Sequence, residues 1–265
     1  MTHPPTEHDL AAFVDQAGLA PASIVVRRLS APGEPSREAR LDAEAPLYPA
    51  SMIKLPIAAA LTTLWDAHEC APQSNAVVEL GDLTANDLPS PFVLGRRATF
   101  ADLGRLMLTH SDNVATNVLI RVLGRERITA LAQAAGLRAT AVRRKLSGSL
   151  PLIDDPDATG RNAHPAADAA LLLERIARGT LPGSAWLQAA LSEQRWNGKL
   201  SGGLEAGDRF AHKTGDTDEV SHDGGILSLR EGPRYIVVVY TALASPDEGD
   251  PRFARFMRAL RPLLV

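Results

Sequence analysis

This chain has little cysteine, no long apolar segment and no large excess of charge of either sign. A single cysteine, Cys70, among 265 residues cannot form an internal disulfide, so folding does not depend on an oxidising compartment. The formal net charge is -3 and no long basic run occurs, which argues against nucleic acid or an anionic membrane as an obligatory partner. No apolar run approaches membrane-spanning length. The composition favours a small molecule as the partner.

The N-terminus lacks the pattern of a secretory signal. Residues 1–19 read MTHPPTEHDLAAFVDQAGL, without a basic start, a long apolar core and a small-residue cleavage site. As written, the chain is expected in the cytoplasm. The alternative is a truncated N-terminus on a periplasmic or secreted protein, and the sequence does not separate these two localisations.

Hydrophobic periodicity divides the chain into three blocks. In the first, residues 7–18 predict a helix and the β-branched run 23–30 predicts a strand, with a turn at 31–36 and a weaker strand through 37–44. The middle block, which extends to Gln194, is mainly helical. Its helical segments are 52–69, 99–112, 114–124, 126–136 and 164–179. The last block returns to strands, at 210–216, 224–230 and 235–243, and ends with a helix over 250–264.

Two early strands and three late strands predict one sheet. A two-stranded hairpin is marginal alone, so we expect a mainly antiparallel five-stranded sheet flanked by N- and C-terminal helices. The predicted class is α/β (α+β), as one integrated catalytic unit. Residues 1–50 and 195–265 would form the sheet subdomain and 51–194 an inserted all-helical subdomain, with the active site at their interface. The segment 147–164 is too long for an idle connection and suggests a functional loop.

Three short motifs occur in order: SMIK at 51–54, SDN at 111–113 and KTG at 213–215. Each alone is a weak signal. From the residue frequencies of this chain, all three would occur in that order by accident with a probability on the order of 10⁻⁵. The set is therefore a strong signal.

Lysine is rare in this chain, and its positions are informative. Only four lysines occur among 28 basic residues, and two of them, Lys54 and Lys213, lie in motifs. A lysine amine can lose its proton in a desolvated site, whereas a guanidinium stays charged. On a helix, Ser51 and Lys54 would lie one turn apart on the same face, close enough for the amine to reach the hydroxyl.

Each motif also has an ordinary structural interpretation. Ser51 could cap a helix beside a solvated Lys54, Asp112 or Asn113 could cap the next helix, and Lys213 could be an edge charge on a strand. A strand glycine such as Gly215 could mark a bulge or let a ligand approach the backbone closely. If SxxK occurred alone, we would favour the structural interpretation. Because SDN and KTG also occur, we favour the catalytic interpretation instead.

The ordered set resembles the signature of class A serine β-lactamases and the related penicillin-binding proteins. The resemblance covers nearly the whole chain, and residues 191–215, LSEQRWNGKLSGGLEAGDRFAHKTG, are similar to the family's lead-in to its third motif. It implies a β-lactamase/transpeptidase-like fold and acyl-enzyme chemistry. It implies no metal or cofactor, and the seven histidines show no ligand spacing.

The resemblance also implies roles for individual residues. Ser51 would be the acylated nucleophile and Lys54 its proton acceptor, directly or through a water. Ser111 would relay a proton to the leaving nitrogen, and Lys213 would supply positive potential near Ser111. The substrate-binding residues would be Asn113 for the amide, Thr214 for the carboxylate, and Gly215 and Asp216 on the strand. The backbone N–H groups of Ser51 and Asp216 would form the oxyanion hole.

Two departures from the family pattern affect the expected chemistry. Active class A enzymes carry a glutamate and an asparagine in the loop after SDN, and residues 142–165 contain no glutamate. The carboxylates in that segment are Asp154, Asp155 and Asp157. We favour their pairing with Arg143, Arg144 or Arg161 to fold the loop, over replacement of the glutamate. Lys145 is interpreted as a surface or loop-bracing charge.

The second departure follows the KTG strand. Family members often place an arginine near the start of the next strand to bind the substrate carboxylate, whereas this chain has His222 and Asp223. Carboxylate recognition would then rest on Lys213 and Thr214 alone, or the substrate would differ from a β-lactam.

Three functions are compatible with these residues. The preferred one is a serine hydrolase of β-lactams or related cyclic amides, with slow deacylation or an alternative base, and with the role in β-lactam catabolism and antibiotic resistance that the family implies. The second is a penicillin-binding, D-alanyl-peptidase-like or covalent β-lactam-binding protein with little turnover. The third is a cytoplasmic esterase or amidase on the same scaffold. A monomer is favoured in each case.

Overall fold

A five-stranded sheet organises the fold in this computed structural model, which describes residues 5–30, 37–244 and 250–264. The strands are β1 (Ala22–Arg28), β2 (Arg37–Leu41), β3 (Asn75–Val77), β4 (Arg97–Thr99), β5 (Arg209–Asp216), β6 (Ser221–Ser228) and β7 (Arg234–Thr241). The large sheet has the order β2-β1-β7-β6-β5, and every neighbouring pair is antiparallel. The prediction that the early strands join the late ones is therefore confirmed. The predicted turn at 31–36 lies outside the described residues.

Helices cover both faces of the sheet. They are α1 (Glu7–Ala17), α2 (Lys54–Asp66), α3 (Phe100–Thr109), α4 (Asn113–Leu123), α5 (Arg125–Ala134), α6 (Ala166–Ala177), α7 (Ser184–Ser192) and α8 (Pro251–Leu260). The terminal helices α1 and α8 share one apolar core with the sheet, and the helices between β2 and β5 share another. The predicted α/β class with flanking terminal helices and a helical insertion is confirmed.

Side chains of β7 point alternately to the two faces of the sheet, so this one strand contributes to both cores. Val237 and Val239 belong to the core under α1 and α8, whereas Val238 and Tyr240 belong to the core under the helical insertion. Successive side chains of a strand point to opposite faces, so a run of apolar residues serves a sheet that is covered on both sides. The run YIVVVYT therefore forms a central strand.

The insertion also contains structure that the sequence did not predict. Strands β3 and β4 pair as a separate two-stranded antiparallel sheet within the insertion expected to be all-helical. Strands of three residues are too short to show a period of two in the sequence. Within the described ranges, no helix is long and apolar enough to cross a membrane.

Candidate active site

The three motifs, which are far apart in the chain, meet around one lysine. Lys54 Nζ lies 2.9 Å from Ser51 Oγ and 2.9 Å from Ser111 Oγ. It also lies 2.7 Å from Asn113 Oδ1. From the other side, Lys213 Nζ donates to Ser111 Oγ at 3.0 Å. The structure thus brings these five predicted residues together, while their chemical roles remain predictions.

Ser51 lies in a 3₁₀ turn and not in the first turn of an α-helix. The turn spans Ala50–Ile53, and α2 begins at Lys54. Ala50 has a φ of 45°, in the left-handed region, so the chain bends sharply after Pro49. Ser51 remains partly exposed while Lys54 is fully buried. The predicted spacing of hydroxyl and amine holds, although the local helix type differs from the expectation.

The hydrogen bonds of Lys54 are compatible with a neutral amine. Two of its neighbours are obligate acceptors, the Ser111 carbonyl oxygen at 2.6 Å and Asn113 Oδ1 at 2.7 Å. The amide of Asn113 is oriented by its own donation to the Ala85 carbonyl oxygen at 2.9 Å. A neutral amine has two N–H donors and one lone pair. Once the two donors are used, the lone pair is free to accept a proton from a serine hydroxyl.

Burial shifts the pKa of both lysines in the same direction. Burial, followed by the nearby charge of Lys213, holds the pKa of Lys54 well below its usual value, against opposing effects of Asp112 and Asp87. Burial also lowers the pKa of Lys213 to about 7, against the opposing charge of Asp216. The arrangement can therefore hold Lys54 as a base, while Lys213 exchanges its proton near neutral pH.

The SDN segment between α3 and α4, called the SDN corner below, orients the Ser111 hydroxyl towards the amines of Lys54 and Lys213. Asp112 caps α4, because its Oδ1 accepts from the Ala115 N–H at 2.8 Å. Of the two capping residues considered from the sequence, Asp112 therefore takes that position. Ser111 has a φ of 59°, an unusual conformation for a side-chain-bearing residue, which costs on the order of 1 kcal/mol or more. Its hydroxyl and carbonyl bonds to Lys54 help to maintain this conformation.

Gly215 allows the β5 strand to approach the turn that carries Ser51. A Cβ at this position would lie 3.1 Å from the Ser51 backbone nitrogen and 3.2 Å from the Pro49 carbonyl oxygen. Both contacts are with backbone and leave little room for a side chain. The predicted binding residues Thr214, Gly215 and Asp216 therefore run directly beside the candidate nucleophile. Thr214 is buried, and Asp216 at the strand end is exposed.

Lys199 is a site residue that the motifs did not reveal. Its Nζ donates to Asp216 Oδ1 at 2.6 Å and to the His222 carbonyl oxygen at 3.0 Å. The only sequence signal was the scarcity of lysine, since no motif spacing connects Lys199 to KTG. The structure therefore adds a buried cation directly behind the end of β5.

The two residues that replace the family's arginine are both buried in the fold. His222 Nε2 contacts the Tyr48 carbonyl oxygen at 2.8 Å, and burial lowers the pKa of His222 to about 4. Asp223 contacts His212 Nδ1 at 2.7 Å and accepts from the Leu200 N–H at 3.0 Å. Both side chains are fully buried and already bonded, so neither replaces an arginine that reaches a substrate carboxylate.

The loop carboxylates are mostly occupied by structural contacts. Asp155 is 3% exposed, is bonded to Arg125 and accepts from the Lys145 N–H at 2.7 Å. Asp157 is 82% exposed and lies 3.7 Å from Arg125. Pairing with arginine was the favoured expectation, but the expected partners were wrong, because Arg125 comes from the neighbouring helix α5. Asp154 is exposed.

Lys145, interpreted above from the sequence, and His110, which precedes Ser111 in the chain, both have clear positions. Lys145 Nζ donates to the Gly81 carbonyl oxygen at 2.6 Å and pairs with Asp82 at 2.9 Å, which makes it a loop-bracing charge as interpreted. His110 contacts Thr109 Oγ1 at 2.8 Å through Nδ1. In the described part of the chain, no group of three or more His, Cys, Asp or Glu side chains could hold a metal ion.

The family follows from a match over nearly all of the chain. A model described as the β-lactamase enzyme family matches residues 5–260. The chain belongs to this family. Membership suggests a hydrolase that works through a serine and takes small β-lactam-type molecules. No curated protein matches the chain by sequence.

Solved structures share the fold at low sequence identity. A leucine-to-glutamate variant of PBP-A, solved as its acyl-enzyme with penicillin G, is 23% identical with a TM-score of 0.82, over 97% of this chain and 98% of that one. A β-lactamase from Sphaerobacter thermophilus is 23% identical with a TM-score of 0.80, over 98% of both chains. A β-lactamase from Xanthomonas campestris is 18% identical with a TM-score of 0.82, over 100% of both. At these identities the likeness establishes the fold.

Proposed function

We propose that this protein is a serine hydrolase of the class A β-lactamase type, which forms an acyl-enzyme at Ser51 with a β-lactam or related cyclic amide and releases it slowly. The observation that carries the proposal is the bonding of Lys54. Its two obligate acceptors, Ser111 O and Asn113 Oδ1, use the donors of a neutral amine and leave a lone pair beside Ser51 Oγ, 2.9 Å away.

Acylation then follows a short proton path. Ser51 Oγ attacks the amide carbonyl carbon while its proton passes to Lys54 Nζ. The tetrahedral intermediate collapses with cleavage of the C–N bond, and the leaving nitrogen takes a proton from Ser111 Oγ. Lys54 returns its proton to Ser111 across 2.9 Å, so no net proton is gained or lost. Lys213, 3.0 Å from Ser111 Oγ, stabilises the negative charge that develops there.

Substrate would lie between β5 and the SDN corner. The backbone N–H groups of Ser51 and Asp216 would bind the oxyanion, and one such donor is typically worth about 10² to 10³ in rate. The close approach of Gly215 to the Ser51 backbone supports this pairing, because it brings the end of β5 beside the nucleophile. Asn113 would contact the substrate amide and Thr214 a polar group on the far side of the ring.

Slow release of the acyl group is supported by the loop. Asp155 is bonded to Arg125 and to the Lys145 N–H, so its oxygens are not free to activate a water. The same observation favours a second candidate, a penicillin-binding or covalent β-lactam-binding protein with little turnover. The acyl-enzyme of the PBP-A variant with penicillin G shows that a relative of this fold holds such an adduct.

Intact-protein mass spectrometry after exposure to a chromogenic β-lactam tests the proposal, with colour release followed in parallel. A mass increase of one ring-opened lactam that decays as colour continues to form supports the slow hydrolase. One equivalent of colour with a lasting adduct supports the covalent binder. Hydrolysis of simple esters without any adduct from the lactam contradicts both and favours the esterase interpretation.

A matched pair of serine variants assigns the nucleophile. Ser51→Ala removes the proposed nucleophile, and Ser201→Ala removes a hydroxyl near His212 outside the cleft. We expect the adduct to disappear in the first variant and to remain in the second. An adduct that forms normally in Ser51→Ala contradicts the site assignment.

A further inference from the structure

A buried lysine and an exposed aspartate form an ion pair at the end of β5. Lys199 Nζ donates to Asp216 Oδ1 at 2.6 Å, and the two side chains are 4% and 42% exposed. Lys199 also donates to the His222 carbonyl oxygen at 3.0 Å, which fixes the ammonium behind the strand. The pair is therefore oriented, with its cation inside the protein and its carboxylate at the surface.

The Asp216 carboxylate is held by a second donor. Ser221 Oγ donates to the same oxygen, Oδ1, at 2.9 Å, and Ser221 stands opposite Asp216 in the β5–β6 register. Both bonds end on Oδ1, and within the described residues no donor reaches Oδ2. The side chain is therefore fixed with one carboxylate oxygen available to solvent or to a bound molecule.

Strand geometry places this carboxylate beside the proposed binding position of Thr214. Side chains two apart on a strand share one face, so Asp216 follows Thr214 on the same side of β5. Thr214 is the residue that the family resemblance assigns to the substrate carboxylate. A carboxylate bound there would meet the like charge of Asp216, and the repulsion would be partly screened by solvent because Asp216 is 42% exposed.

The nearby cations offer little compensation. The charge of Lys199 is already neutralised by Asp216. Lys213, whose pKa is about 7, is charged only in part at neutral pH. Arg161, across the β5–β6 turn, is paired with Glu219 at 2.9 Å. The arrangement around Thr214 thus favours a neutral or positively charged group over an anion.

We propose that Asp216 determines substrate charge, so that the enzyme prefers amides or lactams that are neutral or cationic beside the scissile bond and discriminates against those that carry a carboxylate there. The inference rests on the proposed acylation of Ser51. Replacing Asp216 by asparagine would remove the negative charge beside Thr214 and leave the Lys199 charge without its neutralising partner.

The test compares a chromogenic cephalosporin that has a free carboxylate on its six-membered ring with the methyl ester of the same compound. Second-order acylation rates are measured by mass spectrometry at pH 7 and low salt for wild type, Asp216→Asn and the control Asp218→Asn. Asp218 is an exposed carboxylate on the same turn. The control therefore removes one charge from the turn without touching the ion pair. Comparing rate ratios cancels the different intrinsic reactivities of acid and ester.

We expect the acid-to-ester rate ratio to rise at least about tenfold in Asp216→Asn and to stay within about twofold in Asp218→Asn. A ratio unchanged in Asp216→Asn, with acylation still measurable, overturns the role of Asp216 and leaves the proposed function standing. If no variant is acylated by either compound, the proposed function fails and the charge preference fails with it. Asp216→Ser, whose hydroxyl can still accept from Lys199, repeats the test should the asparagine variant fold poorly.

Discussion

The cleft around Lys54 and the loop of residues 147–164 both bury ionisable groups, but they treat them in opposite ways. Among the described residues, no carboxylate lies within hydrogen-bond distance of Lys54 or Lys213, and burial lowers the pKa of both amines. In the loop, Asp155 is buried against Arg125 and a backbone N–H. An unpaired buried amine can exchange its proton, whereas a paired buried carboxylate is committed to structure. We therefore expect the cleft to carry out the acyl transfer and the paired groups of the loop to stabilise the fold.

The largest expected effect comes from Lys54→Arg. A guanidinium keeps its proton, so the variant loses its base, and general-base catalysis is worth about 10² to 10⁴ in rate. We expect the acylation rate at Ser51, measured by mass spectrometry with a chromogenic β-lactam, to fall by that factor. Lys145→Arg, in the loop-bracing pair with Asp82, is the control and should acylate normally. A Lys54→Arg variant with more than about a tenth of the wild-type rate would contradict the role of Lys54.

The next largest effect is expected in the dependence of the acylation rate on pH. Lys54 acts when neutral, so acylation should rise with pH as its proton is lost. Lys213 acts when charged, and because its pKa is about 7 its charge is lost as pH rises through 7. Between pH 7 and 9 the charged fraction of Lys213 falls from about one half to about one hundredth, so the wild-type rate should fall by up to about 50-fold.

The Lys213→Arg variant tests whether loss of the Lys213 charge causes the fall in acylation rate between pH 7 and 9. An arginine remains charged over the whole range, so the variant should show little decline between pH 7 and 9. Acylation rates measured in parallel for both proteins provide the check. An equal decline in the two proteins between pH 7 and 9 would assign it to another group and contradict the proposed role of the Lys213 charge beside Ser111.

On the loop side, Asp155→Asn should reduce stability without changing turnover. The variant removes the close partner of the largely buried Arg125 and leaves only the exposed Asp157, 3.7 Å away, which we expect to lower the free energy of unfolding in urea by about 3 kcal/mol. Decay of the acyl-enzyme adduct should stay within about twofold of wild type at a temperature where the variant is folded. Asp157→Asn, at an exposed position, is the control and should change stability by less than about 0.5 kcal/mol. A tenfold or greater slowing of decay in Asp155→Asn would instead make Asp155 part of deacylation.

At neutral pH the smallest effect is expected at His164, at the end of the same loop, because its contribution to stability changes only below about pH 6.5. Its Nδ1 contacts Thr140 Oγ1 at 2.8 Å, its Nε2 is buried without a partner among the described residues, and burial lowers its pKa to about 3. Between pH 6.5 and about 3 the unfolded chain binds a proton here and the folded chain does not, so stability falls as pH falls. His164→Asn should flatten the pH dependence of unfolding by about 1.4 kcal/mol per pH unit. Identical slopes in wild type and variant would contradict this assignment.

The positions of the main elements followed from the sequence because they depend on local pattern. The run at 235–243 predicted β7, and the apolar periodicity of 114–124 predicted α4, each within one or two residues of the observed ends. β6 was less predictable, since it begins at Ser221 and not at Gly224. The polar residues Ser221 and His222 carry little strand preference, and their strand conformation is decided by pairing with β5 and β7.

The candidate site was predicted to a similar extent. The three motifs named the hydroxyls and amines that meet at Lys54, because family motifs preserve residue type at fixed spacing. They did not name Lys199, which reaches Asp216 from a separate segment. The composition of the loop also predicted the wrong arginine partners for Asp155, since Arg125 approaches it from helix α5. Such pairings join segments that no short pattern links.

By itself, the sequence determined which chemical groups are available: one SxxK serine, few lysines, and a loop without glutamate. Local propensity and periodicity also determined most elements, because these act over a few residues. Only the tertiary structure decided which charges meet. Burial at the junction of α2, the SDN corner and β5 lowers the lysine pKa values, and packing across β5 and β6 pairs Lys199 with Asp216. Electrostatic effects depend on distance and solvent exclusion, which are properties of the folded chain.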